Sequence, residues 1–200
     1  AINDQNADFI YTDEVTFLED NVKNLVNAHY KPDFSPDTLR SYNYICHLTT
    51  FKKSLLKNTG AFRAECDGGQ DYDLILRLTE QAEYIVHVPE MLYFWRGHSN
   101  STAQDIKSKP YIVNAAHKAL SDHLQRQGLN GRVEDALIPS TYRIKYDIQG
   151  EPLVSIVIAN KDQRKLLKKC IYSILERSSY RNFEIVIVEN NSTQKETFEF

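Results

Sequence analysis

The sequence has no apolar run long enough to span a membrane. Its longest, residues 153–159 and 185–188, fall far below the ~20 residues such a helix needs. Glycine and proline are scarce, at seven and six residues, which excludes collagen-like and low-complexity classes. Three cysteines, Cys46, Cys66 and Cys170, are odd in number and show no C-x-x-C spacing, so neither a disulfide framework nor a zinc site is expected, and all three should be inert thiols in a reducing, cytoplasmic setting. Charge of one sign is lacking too: 24 Lys+Arg face 27 Asp+Glu, a formal net charge of −3. That balance gives no general attraction to nucleic acid or an anionic membrane, and no nucleic-acid partner is expected. What is present is 42% hydrophobic and 11% aromatic residues in a chain of 200. About 70% of the surface of such a chain can be buried, and its length corresponds to roughly 1.3 domains.

Residues 1–4 read as the tail of a helix running into a strand at Phe9-Ile10-Tyr11, and Ser192 or Thr193 as the N-cap of a helix opening at Gln194, so the chain is expected to be a piece of a longer protein. Between these ends, Ser35 with Pro36 opens a short helix, residues 44–51 read as a strand, and residues 53–58 form a brief helix stopped by Gly60. A glycine loop, Asp67-Gly68-Gly69, leads into a helix over 71–81. Residues 84–88 and 91–96 are two strands separated by Pro89. A long helix runs from a Ser108 cap to Gly128, followed by short strands over 132–137 and 141–148. After the linker Gln149-Gly150-Glu151-Pro152 the pattern changes to strand, helix, strand over 153–158, 163–177 and 183–188, a β-α-β unit whose apolar strands imply a parallel sheet covered on both faces. Two strands do not make such a sheet, so this unit must borrow from the rest of the chain, which is favoured, or from a second copy as a homodimer, or stay poorly ordered.

Gly69-Gln70-Asp71 delivers a carboxylate to a helix N-terminus, where unpaired N–H groups and the macrodipole favour the ionised form, as a general base requires. Read structurally, Asp71 is a helix cap and Asp73 pairs with Arg77 at i,i+4. His98, after a strand and before the hydroxyl-rich Ser99-Asn100-Ser101-Thr102, suits a metal or phosphate contact, or is a plain loop histidine. Trp95 is a core aromatic or a platform for a sugar or base. Asp13-Glu14 reads as a solvated turn, although it could orient a substrate hydroxyl, and Arg164, Lys165, Lys168 and Lys169 read as ordinary basic surface. The turn 159–163 lacks glycine, which excludes a dinucleotide fingerprint and a P-loop. Asn160 and Asp162 after one parallel strand, and Glu189, Asn190 and Asn191 after the other, sit where open α/β sheets bind ligands.

Four motifs in order, Tyr11-Thr12-Asp13-Glu14, the stretch 30–37, Gly69-Gln70-Asp71-Tyr72-Asp73-Leu74 and the stretch 93–102, resemble the second half of a family-2 glycosyltransferase domain of the GT-A fold. Residues 152–193, with Val154-Ser155-Ile156-Val157-Ile158 and Glu189-Asn190-Asn191-Ser192-Thr193, resemble the first half of another. The resemblance implies an α/β, Rossmann-like partial GT-A fold with a mixed sheet and flanking helices. It divides the chain into an acceptor-side half over 1–102, a helix and short-strand connector over 103–151 and the start of a second domain over 152–200. It further implies a bacterial tandem enzyme of cell-envelope polysaccharide biosynthesis, working in the cytoplasm or at the inner face of the membrane. That enzyme would move a sugar with inversion from a UDP- or dTDP-sugar to a glycan acceptor. Asp71 would be the catalytic base, Gln70 and Trp95 would shape the acceptor pocket, and Asn160, Asp162, Glu189 and Asn190 would meet the nucleotide, Asn190 standing where the family usually has an Asp. His98 would contact the metal or diphosphate. Mn²⁺ or Mg²⁺ would be held by a D-x-D motif that the resemblance places upstream of Ala1, so the isolated chain is expected to be inactive. A carbohydrate- or partner-binding module on a transferase-like shell, or a nucleotidyltransferase on a similar sheet, are the alternatives.

Overall fold

One strand organises the first part of the molecule. In a computed structural model that describes residues 6–18, 21–97 and 110–200, β1 (Phe9–Leu18) extends well past the three residues expected of it. Its continuation, Thr12, Asp13, Glu14 and Val15, is buried, which corrects the reading of Asp13-Glu14 as a solvated turn. One edge of β1 is shared by two short antiparallel strands, β2 (Leu25–His29) toward its end and β3 (Thr49–Phe51) at its start. The other edge pairs in parallel with β4 (Ile85–Gly97) over its whole length. The two strands expected over 84–88 and 91–96 are therefore one. Pro89 has no N–H to give a ladder, and the register slips there, from Thr12 opposite Val88 to Asp13 opposite Met91, so pairing resumes beyond it. A second slip sets Glu14 opposite Tyr93, and Trp95 then falls opposite Thr16.

The helices of this part follow their local signals. Ser35 Oγ accepts from the Thr38 amide at the start of α1 (Pro36–Ser41), with Pro36 in the first turn where its missing N–H costs nothing. The helix α2 (Lys53–Thr59) ends at Gly60, whose φ of 75° only glycine adopts readily. Residues 44–48, expected to begin a strand, instead run irregularly before β3, with the Tyr44 and Ile45 side chains fully buried in the core. A short 3-10 turn, Ala64–Cys66, then leads to α3 (Gln70–Thr79). α4 (Pro110–Arg126) packs on α3 and on the hairpin of β5 (Gly131–Asp135) and β6 (Tyr142–Tyr146). The expected cap Ser108 lies outside the described residues. Leu76, Leu78, Ala119 and Leu120 belong to the core of this unit and are almost fully buried. The chain divides into two compact units between Asp147 and Ile148, which places α4 and the hairpin with the first unit.

The second unit is the β-α-β segment. β7 (Val154–Asn160) and β8 (Phe183–Glu189) pair in parallel, connected by α5 (Arg164–Arg177), and a short α6 (Lys195–Phe198) follows. Its strands do not bury both faces as their apolar composition implies: Val157 is 64% exposed and Val188 48%. Two strands and one long helix offer too little cover for such residues.

The strongest polar contact of the first unit holds α3 in place. Asp73 is completely buried, its Oδ2 accepting from Arg77 Nη2 at 2.6 Å and Nε at 2.9 Å, while Arg63 closes on the same carboxylate and reaches Asp122 at 2.8 Å. Burial opposes ionisation of Asp73, but the hydrogen bonds from Arg63 and Arg77 outweigh it and hold the pKa below the ordinary value. The expected i,i+4 pair is thus present, with a third partner no spacing rule would supply. Asp73→Ala leaves Arg77 buried without its counter-charge, and thermal unfolding should register a loss of about 3–5 kcal/mol, a melting temperature lower by roughly 10 °C. A drop of no more than about 2 °C would show that the arginine clamp does not carry this helix.

Candidate functional site

The glycine loop before α3 is closed by its own neighbours. Gly68 has φ 95°, and a side chain there would also meet the Tyr111 ring at 2.7 Å. Its amide donates to Gln70 Oε1 at 2.8 Å. Gln70 is thereby engaged in the loop and is not among the residues lining the cleft described next. Asp71, in the first turn of α3, faces that cleft, a cavity of about 360 Å³ in the first unit. The macrodipole end and exposed N–H groups favour an anion there. Asn43 Nδ2 donates to Asp71 Oδ2 at 3.3 Å. Burial and the neighbouring Asp71 carboxylate push the Cys46 thiol far up, so it stays protonated and inert.

Trp95 lines the same cleft, so the structure brings together two of the three residues assigned to the acceptor side. It adds Glu14, His29 and His47, which the sequence did not single out together. Adjacent residues on a strand point to opposite faces, and Glu14 turns to the cleft while Asp13 turns away, to the Lys31 amide at 2.9 Å and His87 Nε2 at 2.8 Å. Glu14 Oε1 is 3.3 Å from His29 Nδ1; Oε2 is 3.1 Å from His47 Nδ1 and accepts the His47 amide at 2.8 Å. Burial raises the Glu14 pKa, but the hydrogen bonds from His29 and His47 and the Lys31 charge dominate and bring it down to about 2. The signal that could have found this cluster was the apolar-polar alternation continuing through Asp13-Glu14; its partners come from segments 15 and 33 residues away, which no local pattern links.

In the second unit the four residues assigned to the nucleotide gather at the C-terminal ends of β7 and β8. The Asn160 carbonyl accepts the Asn190 amide at 2.9 Å, and Asn160 Nδ2 is buried without a partner. Asp162, with φ 51°, accepts the Thr193 and Gln194 amides at 2.8 Å each, while its own amide donates to Ser192 Oγ at 2.9 Å. Neither Ser192 nor Thr193 therefore caps α6 with its side chain, as expected; the Asp162 carboxylate takes the amides before that helix. Glu189 Oε1 accepts the Ser192 amide at 2.7 Å. These bonds hold the Glu189 carboxyl below its ordinary pKa, the Ser192 contact contributing most. Beside them a cavity of about 350 Å³ is lined by Asp162, Arg164, Lys165, Lys168, Gln194 and Glu196.

His98, the residue associated with a metal, lies outside the described residues. Among the described residues, no group of three or more His, Cys, Asp or Glu is arranged to hold a metal ion. Mg²⁺ and Mn²⁺ favour several oxygen ligands, whereas both Glu14 oxygens accept from imidazole and amide nitrogens. This donor set does not fit a hard divalent cation.

The two units define a mixed α/β protein with ligand-sized cavities at a helix N-terminus in one and at the ends of parallel strands in the other. Residues 155–198 match the family described as glycosyl transferase family 2. The chain is 39% identical over 198 residues, 98% of its length, to the uncharacterized protein y4gI of Sinorhizobium fredii (strain NBRC 101917 / NGR234), and 40% identical over 169 residues, 84% of its length, to the O-antigen biosynthesis protein RfbC of Myxococcus xanthus. It spans 22% and 13% of those two proteins. These matches support a family-2 glycosyltransferase, and the mixed sheets with flanking helices are consistent with a partial GT-A fold. No helix among the described residues is long and apolar enough to cross a membrane.

The Glu14 contacts make the first unit acid-sensitive with a defined sign. A carboxyl whose folded pKa of about 2 lies below its ordinary 4.5 contributes stability that is complete above pH 4.5 and is lost as pH falls through 2. Urea unfolding followed from pH 5 down to pH 2 should show a loss of up to about 3 kcal/mol that Glu14→Gln does not share. Parallel curves for the two proteins would show that Glu14 is not held as described.

Proposed function

We propose that this chain is part of an inverting glycosyltransferase that moves a sugar from a nucleotide-diphosphate donor to a glycan acceptor in polysaccharide assembly, with Asp71 as the base. The observation that carries this reading is the position of Asp71, at the N-terminus of α3, in a cleft that also presents Trp95. The acceptor oxygen attacks the anomeric carbon, its proton passes to Asp71, and the bond from that carbon to the phosphate oxygen breaks with its electron pair going to the phosphate. Asn43 orients the carboxylate by donating to its Oδ2. The family-2 match of residues 155–198 and the O-antigen role printed for the Myxococcus relative support the reaction class and the kind of product. In this reading the second unit, taken by itself, carries groups suited to a nucleotide. Asn160 has an unpartnered amide for a base edge, and Arg164, Lys165 and Lys168 are cations for phosphate.

Asp71→Asn keeps the shape of the side chain and removes its basicity. In the full-length protein it should lower sugar transfer, read as labelled glycan formed, by about 10²–10⁴-fold. Undiminished synthesis would instead favour a binding module on a transferase-like shell. The 200-residue chain should show no transfer alone. Titrated with UDP, GDP and dTDP, with and without Mn²⁺, it should gain about 2.7 kcal/mol of stability from its cognate nucleotide at 100 times the Kd, and Asn160→Ala should abolish that gain. No thermal shift with any of the three would remove the nucleotide role from the second unit.

A further inference from the structure

The cleft of the first unit contains an imidazole that the transfer step above leaves unused. His47 is bound to one carboxylate oxygen by two of its own N–H groups, the amide at 2.8 Å and the ring Nδ1 at 3.1 Å. An ionised carboxylate only accepts hydrogen bonds, so Nδ1 carries the proton, and the neutral ring is left with its lone pair on Nε2. Among the described residues nothing bonds to Nε2. The ring cannot turn freely to find a partner, because it stacks on Tyr93 at 5.0 Å with an 18° interplanar angle and leans on Trp95 at 5.4 Å. It is nevertheless 38% exposed and lines the cavity with Trp95 and Asp71. A fixed acceptor atom beside an aromatic face matches a sugar ring, which offers O–H donors at its edge and a C–H face to the indole.

The charges around the cleft decide between a neutral and an anionic occupant. Glu14 and Asp71, both carboxylates, line it. The nearest ammonium, Lys31, is completely buried, 3.9 Å from Glu14 Oε2, and donates to the carbonyls of Ile45 and His47. Among the described residues lining the cleft there is no lysine or arginine, so an anion entering it meets negative charge, whereas a polyol meets acceptors.

We propose that His47, its Nδ1 fixed by Glu14, holds a hydroxyl of a neutral hexopyranose through Nε2, with the sugar ring against Trp95, as the acceptor subsite next to Asp71. The naming of this sugar as the acceptor rests on the transferase reading; the binding itself does not. Protonation of His47 would turn Nε2 from acceptor to donor. The titratable groups around it are Glu14 on β1, His29 on β2, Tyr93 on β4, Lys31, and Cys46 and Asp71 in the same cleft.

The test is an NMR titration of the 200-residue chain with methyl glycosides of glucose, galactose, mannose and rhamnose, and separately with inorganic pyrophosphate. Binding is read at the Trp95 indole N–H and the imidazole nitrogens. At least one glycoside should shift both the indole and His47 Nε2. His47→Ala should cost about tenfold or more, His47→Gln less because its amide oxygen still accepts, and His117→Gln, a histidine paired with Asp135 outside the cleft, nothing. Binding of pyrophosphate alone would overturn the proposal and assign His47 to the leaving phosphate. No binding by any probe, or glycoside binding indifferent to His47→Ala, would also overturn it. Because binding and not transfer is read, this result is independent of the Asp71→Asn assay.

Discussion

Two residues along an α-helix turn a side chain through about 200°, so Asp71 and Asp73 cannot face the same way. The first unit is built on that constraint. Asp73 is locked into the core by Arg63 and Arg77, and Arg77 also donates to the carbonyls of Thr59 and Ala61 at the end of α2, so the rotation of α3 about its axis is fixed from inside. Asp71 then has one direction left, toward the cleft. The arginines act on the cleft without touching it, because an acid at a helix N-terminus is useful only if the helix cannot roll.

The opposite wall of the cleft depends on a similar economy in the sheet. β4 must pair with β1 despite a proline in its middle, and the slips that accommodate Pro89 set Glu14 opposite Tyr93, with Trp95 two residues further. Without those slips the alternation of β4 would meet β1 in another register, and the aromatic pair would not support His47 beside Glu14. Buried ionisable groups and irregular pairing thus occur at the same place, the pattern expected where a fold gives up local regularity to shape a site.

What could be read from the sequence was whatever had a local cause. The Ser35 cap, the stop at Gly60, the periodic face of α4 and the strand-helix-strand order of the second unit all follow from neighbours within a turn or two, and all appear. Asp71 was legible for the same reason, as a carboxylate one turn into a helix after two glycines. The failures have non-local causes. Residues 44–48 alternate like a strand but have no edge to pair with, since β2 and β3 already share that side of β1, and they serve as core filling and cleft lining. Asp13-Glu14 looked solvated because acids usually are, and only partners brought from β2, β4 and the 46–48 segment make their burial tolerable.

The two units differ in the chemistry of their sites as sharply as in their folds. The first offers carboxylates, imidazole and indole, groups that accept hydrogen bonds from neutral hydroxyls and take up a proton. The second offers an unpaired amide at a strand end and cations at the start of α5, groups suited to a base edge and to phosphate. The two kinds of surface conflict when close: cations beside a base lower its affinity for a proton. Each set of groups is tuned by the burial and hydrogen bonds of its own unit. In the first unit that tuning is visible in Glu14, ionised by its two imidazoles, and in Asp73, ionised by its two arginines, which leaves Asp71 as the acid in the cleft free of a full countercharge.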